Sequence, residues 1–216
     1  MKNLYIVGAG GFGREVYAWL LDLPECNFEW QIKGFLDDNL EALDGFNYEA
    51  GVVARVADFL PARNDLFVCA IGAQAHKRRV CEGLKARGAT FYTVVHPTAI
   101  VGPNVSLGAG AVLCPRVSVT CDVEIGEMVM LNLHCTVGHD VRIGAWSTVS
   151  AQCDLTGFVQ LGEGAFLGSG VRVIPTKRIG DGAVVGAGSV VIRDVRSGQK
   201  VFGNPARAFA YLPLVP

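Results

Sequence analysis

From Val95 to Val191 every sixth residue is Val, Ile or Leu, through Val101, Leu107, Leu113, Val119, Ile125, Leu131, Val137, Ile143, Val149, Leu155, Leu161, Leu167, Val173, Ile179 and Val185. Four residues after each stands Ala, Val, Cys or Ser, with Lys177 as the exception. A six-residue period matches neither the 3.6 period of an amphipathic helix nor the period of two in a plain strand. It matches a parallel β-helix of hexapeptide repeats, in which each hexad supplies one short strand and one corner. Three hexads to a coil give between five and six coils stacked at roughly 4.8 Å. Residues 18 apart then stand above one another.

Residues 1–94 carry a different pattern. Apolar runs at Leu4–Gly8, Ile32–Leu36, Leu66–Ile71 and Phe91–Val94 read as strands, with helical stretches from the glycine turn to about Leu21 and from Gln74 to Arg87. Strands alternating with helices predict a small parallel α/β sheet, a Rossmann-like domain. Residues 95–196 form the predicted β-helix. From 197 to 216 the chain leaves the hexad register and is expected to cap the last coil, whose edge would otherwise be open.

Composition narrows the partners. The chain has 216 residues, 19 basic and 20 acidic, with no basic run, which argues against nucleic acid. No apolar stretch reaches membrane-spanning length, and the first residues lack the apolar core of a signal peptide. Seven cysteines without metal-type spacing suit a reducing cytoplasm, and Cys135 and Cys153 fall at packing positions.

Two places carry candidate chemistry. Gly8-Ala9-Gly10-Gly11-Phe12-Gly13 lies between a strand and a helix, where backbone N–H groups can hold phosphate. Asp37 ends the next strand, where a carboxylate can meet a ribose or a base. One such half is short of a full dinucleotide fold, so a mononucleotide or nucleotide-sugar site is the better fit; glycines that merely close a turn are the bland alternative.

In the β-helix, the column Pro103, Cys121, His139, Gly157, Pro175 puts a bare glycine next to an imidazole, with Asp140 adjacent in sequence. A histidine held by a carboxylate can act as general base on an amine or hydroxyl attacking a thioester, with the Gly157 N–H near the oxyanion. A second column, Leu133, Ala151, Ser169, Ala187, becomes small after its first member, a track for a thin ligand such as the pantetheine arm of coenzyme A. Cys121 as nucleophile, and zinc held by His134 and His139, are further readings; zinc normally wants three protein ligands.

The turn Gly-Ala-Gly-Gly-Phe-Gly-Arg-Glu, Gly34-Phe35-Leu36-Asp37-Asp38, Ala70-Ile71-Gly72, His96-Pro97, the hexads and Gly203-Asn204-Pro205-Ala206-Arg207 together resemble one family. It is the sugar acyltransferases of bacterial glycan pathways, the sialic acid O-acetyltransferase-like group that includes the bacillosamine-pathway N-acetyltransferase. The resemblance implies a left-handed β-helix, a homotrimer with sites between subunits, and acetyl-CoA as donor. It implies His139 as base, Asp140 as its partner and Gly157 beside the thioester. Gly10, Gly11, Phe12, Asp37, Asp38 and Gly72 would contact the nucleotide-sugar, while Ser169, Ala187 and the Thr148 position would contact coenzyme A. Two departures stand out: Thr148 occupies a place that holds histidine in many members, and Ala73-Gln74 replace acidic or amide residues. The expected activity is N-acetylation of a UDP- or dTDP-linked 4-amino-4,6-dideoxy sugar. O-acylation of a sugar such as sialic acid, or a non-catalytic sugar-nucleotide scaffold, are the alternatives.

Overall fold

The computed structural model describes residues 1–23 and 29–209. It divides into two compact units, Met1–Pro97 and Thr98–Pro216. Residues 210–216 of the expected cap, and Cys26, lie outside the described residues.

The first unit is a five-stranded parallel sheet of order β3-β2-β1-β4-β5, made of β1 (Lys2–Val7), β2 (Trp30–Leu36), β3 (Val52–Ala54), β4 (Asp65–Cys69) and β5 (Thr90–Phe91). Every residue of β4 is buried, as expected of a central parallel strand covered on both faces. Helix α1 (Gly11–Leu21) buries Gly13, Val16, Tyr17 and Leu20, a stripe of helical spacing, and α2 (Gln74–Ala86) buries Lys77, Cys81 and Leu84. Gly13 packs so tightly under the first turn that a Cβ there would run into the Gly8 carbonyl oxygen.

Two details depart from the sequence reading. The expected strand Phe91–Val94 is interrupted: Thr90–Phe91 pairs with Leu66–Phe67, and pairing resumes only at Val94–Val95. Strand β3 was not anticipated. It is three residues long and pairs with Phe35–Leu36, too little sequence for a period to show.

The second unit is a left-handed parallel β-helix of two-residue strands. Its register repeats every 18 residues, as in Ser118, Thr136, Asp154 and Arg172 on one face and Met130, Thr148 and Phe166 on another. From Leu113 onward the aliphatic hexad position is buried, and so are Val117, Val123, Val129, Cys135, Val141 and Val159 at the small position four places on, whereas Val101 in the first coil is exposed. That small residue is wholly enclosed by the prism, which is why size is limited there. Cys135 and Cys153 fit the rule and donate their S–H groups to the Ser150 and Gly168 carbonyls at 3.0 and 3.1 Å. Corners turn through left-handed backbone, including Asn104, Asp122, Asp140, Phe158 and Thr176 at φ of 58 to 67°. After the last hexads, Lys200–Phe202 adds one parallel strand to Val184–Val185, and Arg207–Ala208 closes against it antiparallel.

Candidate active site

The corner between Val137 and Ile143 carries His139. Backbone bonds from Asp140 N–H to the Cys121 carbonyl and from Phe158 N–H to the His139 carbonyl fix successive coils in the column Cys121, His139, Gly157. The left-handed φ of 58° at Asp140 accompanies a 2.8 Å contact between its Oδ2 and His139 Nδ1. A carboxylate accepts and cannot donate, so Nδ1 carries the proton of this bond and Nε2 is left as the nitrogen that can take one up. Both side chains are about half exposed, at 54% and 44%, so this contact orients the ring more than it stabilises the fold.

Gly157 lies directly against the imidazole. A Cβ added to it would sit 2.7 Å from Nε2 and 2.8 Å from Cε1. No backbone hydrogen bond from its N–H is seen among the described residues. Phe158 completes the corner, its ring edge-on to the imidazole with centroids 5.1 Å apart. One coil earlier, Asp122 accepts from Asn104 Nδ2 at 2.8 Å. This bond, together with the Cys121 thiol and the His139 charge, holds its carboxyl below the usual range. The same carboxylate pushes the Cys121 thiol up, chiefly through their hydrogen bond, with partial burial and the Asp140 charge adding to the effect. A thiol kept protonated is a poor nucleophile.

His134 and His139 belong to different corners, separated by the strand Thr136–Val137. They lie at opposite ends of one side of the prism and do not converge within the chain. Among the described residues, no group of three or more His, Cys, Asp or Glu is placed to hold a metal ion.

In the N-terminal unit, a cavity of about 240 Å³ is lined by Gly8, Gly10, Asp37, Asp38, Ile71 and His76 among others. Asp37 organises the glycine turn: its Oδ2 accepts from Ala9 N–H at 2.8 Å and its Oδ1 from Asn39 N–H at 2.9 Å. Asp38 Oδ1 accepts from Val56 N–H at 3.2 Å.

Comparison with known proteins adds to this geometry. Residues 3–84 match the PglD N-terminal domain. Over 117 residues the chain is 31% identical to UDP-N-acetylbacillosamine N-acetyltransferase of Bacillus subtilis (strain 168), covering 52% of this chain and 51% of that protein. Its structure resembles PerB from Caulobacter crescentus in complex with CoA and GDP-perosamine, with a TM-score of 0.87 and 29% identity over 97% of this chain and 98% of that one. The chain is thus similar to the PglD N-terminal domain over residues 3–84 and to solved sugar acetyltransferases over nearly its whole length. A further likeness is to the acetyltransferase domain of PglB from Neisseria gonorrhoeae FA1090 in complex with acetyl coenzyme A, with a TM-score of 0.86 and 27% identity over 96% of this chain and 99% of that one. The chain spans about half the length of the curated relatives it matches.

In this chain the sequence-derived site residues fall into separate groups. His139, Asp140 and Gly157 meet at one corner. Ser169 and Ala187 are exposed and stacked, with Gly188 N–H donating to the Ser169 carbonyl. Thr148 stands apart from both groups: it is only 4% exposed, between Met130 and Phe166, and offers almost no surface to a ligand. Gly10, Asp37 and Asp38 line the N-terminal cavity, whereas Gly11, Phe12 and Gly72 do not. Phe12 packs instead against Trp19, ring centroids 5.8 Å apart. The sequence reading missed His76 and Val80 in that cavity. The signal was available, since residues four apart share one face of α2.

Proposed function

We propose that the protein is an acetyl-CoA-dependent N-acetyltransferase acting on the amine of a nucleotide-linked amino sugar. The observation that carries this reading is the His139 imidazole, oriented by Asp140 at 2.8 Å and set against the bare backbone of Gly157. In this mechanism the sugar amine nitrogen attacks the thioester carbonyl carbon. His139 Nε2 takes the proton the amine loses, and Asp140 stabilises the imidazolium that forms. The Gly157 N–H donates to the carbonyl oxygen as it becomes an oxyanion. Collapse of the adduct breaks the C–S bond, and the departing thiolate takes the proton back from His139. The products are an amide and free coenzyme A, and the base returns to its starting state.

Acetyl-CoA is assigned as donor because a PglB neighbour was solved with acetyl coenzyme A, and a nucleotide-sugar as acceptor because PerB was solved with GDP-perosamine. The small column of Ser169 and Ala187 is assigned to the pantetheine arm; Thr148 is left out of it because it is buried. Residues 1–94 are assigned to nucleotide-sugar binding, with Gly10, Asp37 and Asp38 at the cavity and Gly11, Phe12 and Gly72 at its approach. Residues 95–196 are assigned to acyl transfer and 197–216 to the cap. A homotrimer with sites between subunits, in the cytoplasm, completes the proposal. Among the described residues no helix is long and apolar enough to cross a membrane, and the six cysteines described are free.

The test is thiol release from acetyl-CoA against UDP-, dTDP- and GDP-linked 4-amino-4,6-dideoxy sugars and free sialic acid, with His139→Ala in parallel. Turnover on an amino sugar that falls roughly 10²-fold or more in the variant supports the reading. Turnover on sialic acid alone makes the protein an O-acyltransferase. Nucleotide-sugar binding without turnover makes it a scaffold, and an active His139→Ala removes the proposed base.

A further inference from the structure

We propose that Phe158 is a positioning residue for the His139 imidazole and the apolar wall that favours a 6-deoxy sugar at the acetylation site. This inference rests on the acyl-transfer reading above. Neither backbone preference nor burial accounts for Phe158. Its φ is 62°, a region that a bulky aromatic residue rarely adopts, and the other left-handed members of its column, Asn104, Asp122, Asp140 and Thr176, are all polar. Elsewhere in the helix the bulky apolar residues at left-handed corners are hidden, with Met128 at 2% and Trp146 at 4% exposure, yet Phe158 is 51% exposed. A large apolar side chain left uncovered by its own subunit, against the backbone's preference and beside the candidate base, marks a site where function outweighs local propensity.

Its surroundings say which function. The imidazole is held at Nδ1 by Asp140 at 2.8 Å and backed by Gly157. The Phe158 ring meets it edge-on, at an interplanar angle of 88° and a centroid distance of 5.1 Å, inside the range of favourable aromatic pairs. Asp140 fixes one end of the ring but leaves it free to swing, and Phe158 limits that swing. In the proposed reaction the amine comes up to this same imidazole, beside the exposed remainder of Phe158. In a 4-amino-4,6-dideoxy sugar the C6 methyl is attached to C5, next to the carbon bearing the amine. A methyl can rest on an aromatic face without loss. A C6 hydroxyl in the same place would give up water for no partner.

The test compares wild type, Phe158→Ala and Phe158→Leu on the amino sugar turned over and on its 6-hydroxy counterpart, with the acetyl-CoA KM and thermal melting measured alongside. In Phe158→Ala we expect kcat to fall roughly tenfold, from a looser base. The kcat/KM preference for the 6-deoxy acceptor should also fall roughly tenfold, within what an apolar wall can discriminate against a hydroxyl. Phe158→Leu should recover most of the preference but little of kcat, a split that a merely structural residue would not produce. The acetyl-CoA KM and the melting temperature should stay near wild type. If wild type turns over and both variants keep its kcat and acceptor ratio, the Phe158 proposal fails alone. If wild type turns over no amino sugar, the acyl-transfer reading fails and takes this proposal with it. A variant that sediments differently while its assembled fraction keeps wild-type kinetics would make Phe158 a subunit-packing residue and overturn the proposal.

Discussion

Gly157→Ala separates catalysis from folding more cleanly than deletion of the base does. The new Cβ would stand 2.7 Å from His139 Nε2 and 2.8 Å from Cε1, where ordinary contact begins near 3.4 Å. The difference, 3.4 − 2.7, means that the two groups must part by about 0.7 Å. Gly157 has no left-handed φ to lose, and the atoms it would strike are the far end of a half-exposed side chain, with no backbone among them. The fold therefore yields at the imidazole. A misplacement near 1 Å is worth about 10²-fold in rate, so kcat should fall roughly 30- to 100-fold, about 2 to 3 kcal/mol of transition-state stabilisation. The melting temperature and the Kd for coenzyme A, read by calorimetry, should stay near wild type. Single-turnover kinetics with saturating acetyl-CoA and amino sugar give the rate. A Gly157→Ala enzyme with wild-type kcat would show that the imidazole does not have to be where the structure places it, and would refute its role as base.

Three further outcomes follow from other parts of the chain. Asp140→Asn should lower kcat by roughly 10²-fold or more with little change in stability, because an amide can donate to Nδ1 and so select the wrong tautomer, as a pH-resolved kcat series would show. Gly13→Ala should unfold or severely destabilise the N-terminal unit, since the added Cβ meets the Gly8 carbonyl, while Gly10→Ala, with nothing within 4 Å, should fold normally; circular dichroism melts distinguish the two. Lys77, 1% exposed, has its amine lowered to about 8 by burial, which the neighbouring Cys69 and Cys81 partly offset. Between pH 8 and about 10.5 the unfolded chain binds the lysine proton that the folded chain does not, so this group's contribution to stability rises with pH across that window. Urea unfolding should show a stability advantage of Lys77→Met over wild type that shrinks by up to about 3 kcal/mol from pH 7 to pH 10.5; a constant difference would contradict the burial argument.

The parts of this molecule legible in its sequence are those governed by a strict period. A hexad with one inward aliphatic and one small residue leaves no freedom of register, because a slip of one residue would put polar side chains into the prism. That rigidity let the column Cys121, His139, Gly157 be written down from spacing alone, and the structure places Gly157 against the imidazole as the column requires. The N-terminal unit has no comparable constraint. Its three-residue strand β3 is too short to show alternation, and without it nothing pointed to Val56, whose N–H meets Asp38. Asp37 was read as a ligand group from its place at a strand end. Only the fold shows that both its oxygens already hold backbone N–H groups, so part of its work is to shape the glycine turn.

Phe158 shows why a period can locate a residue without revealing its importance. It stands 18 residues after Asp140, in a column as legible as that of His139, but a hydrophobic residue in a hydrophobic repeat carries no chemical signal of its own. What sets it apart is exposure: the same kind of residue at the same kind of corner is buried at Met128 and Trp146 and left uncovered by its own subunit here. Exposure depends on everything that packs around a corner, and no linear pattern encodes that. A repeat thus serves catalysis in two ways. It fixes the heights at which functional groups stand, and its uniformity makes a departure in burial visible once the chain is folded.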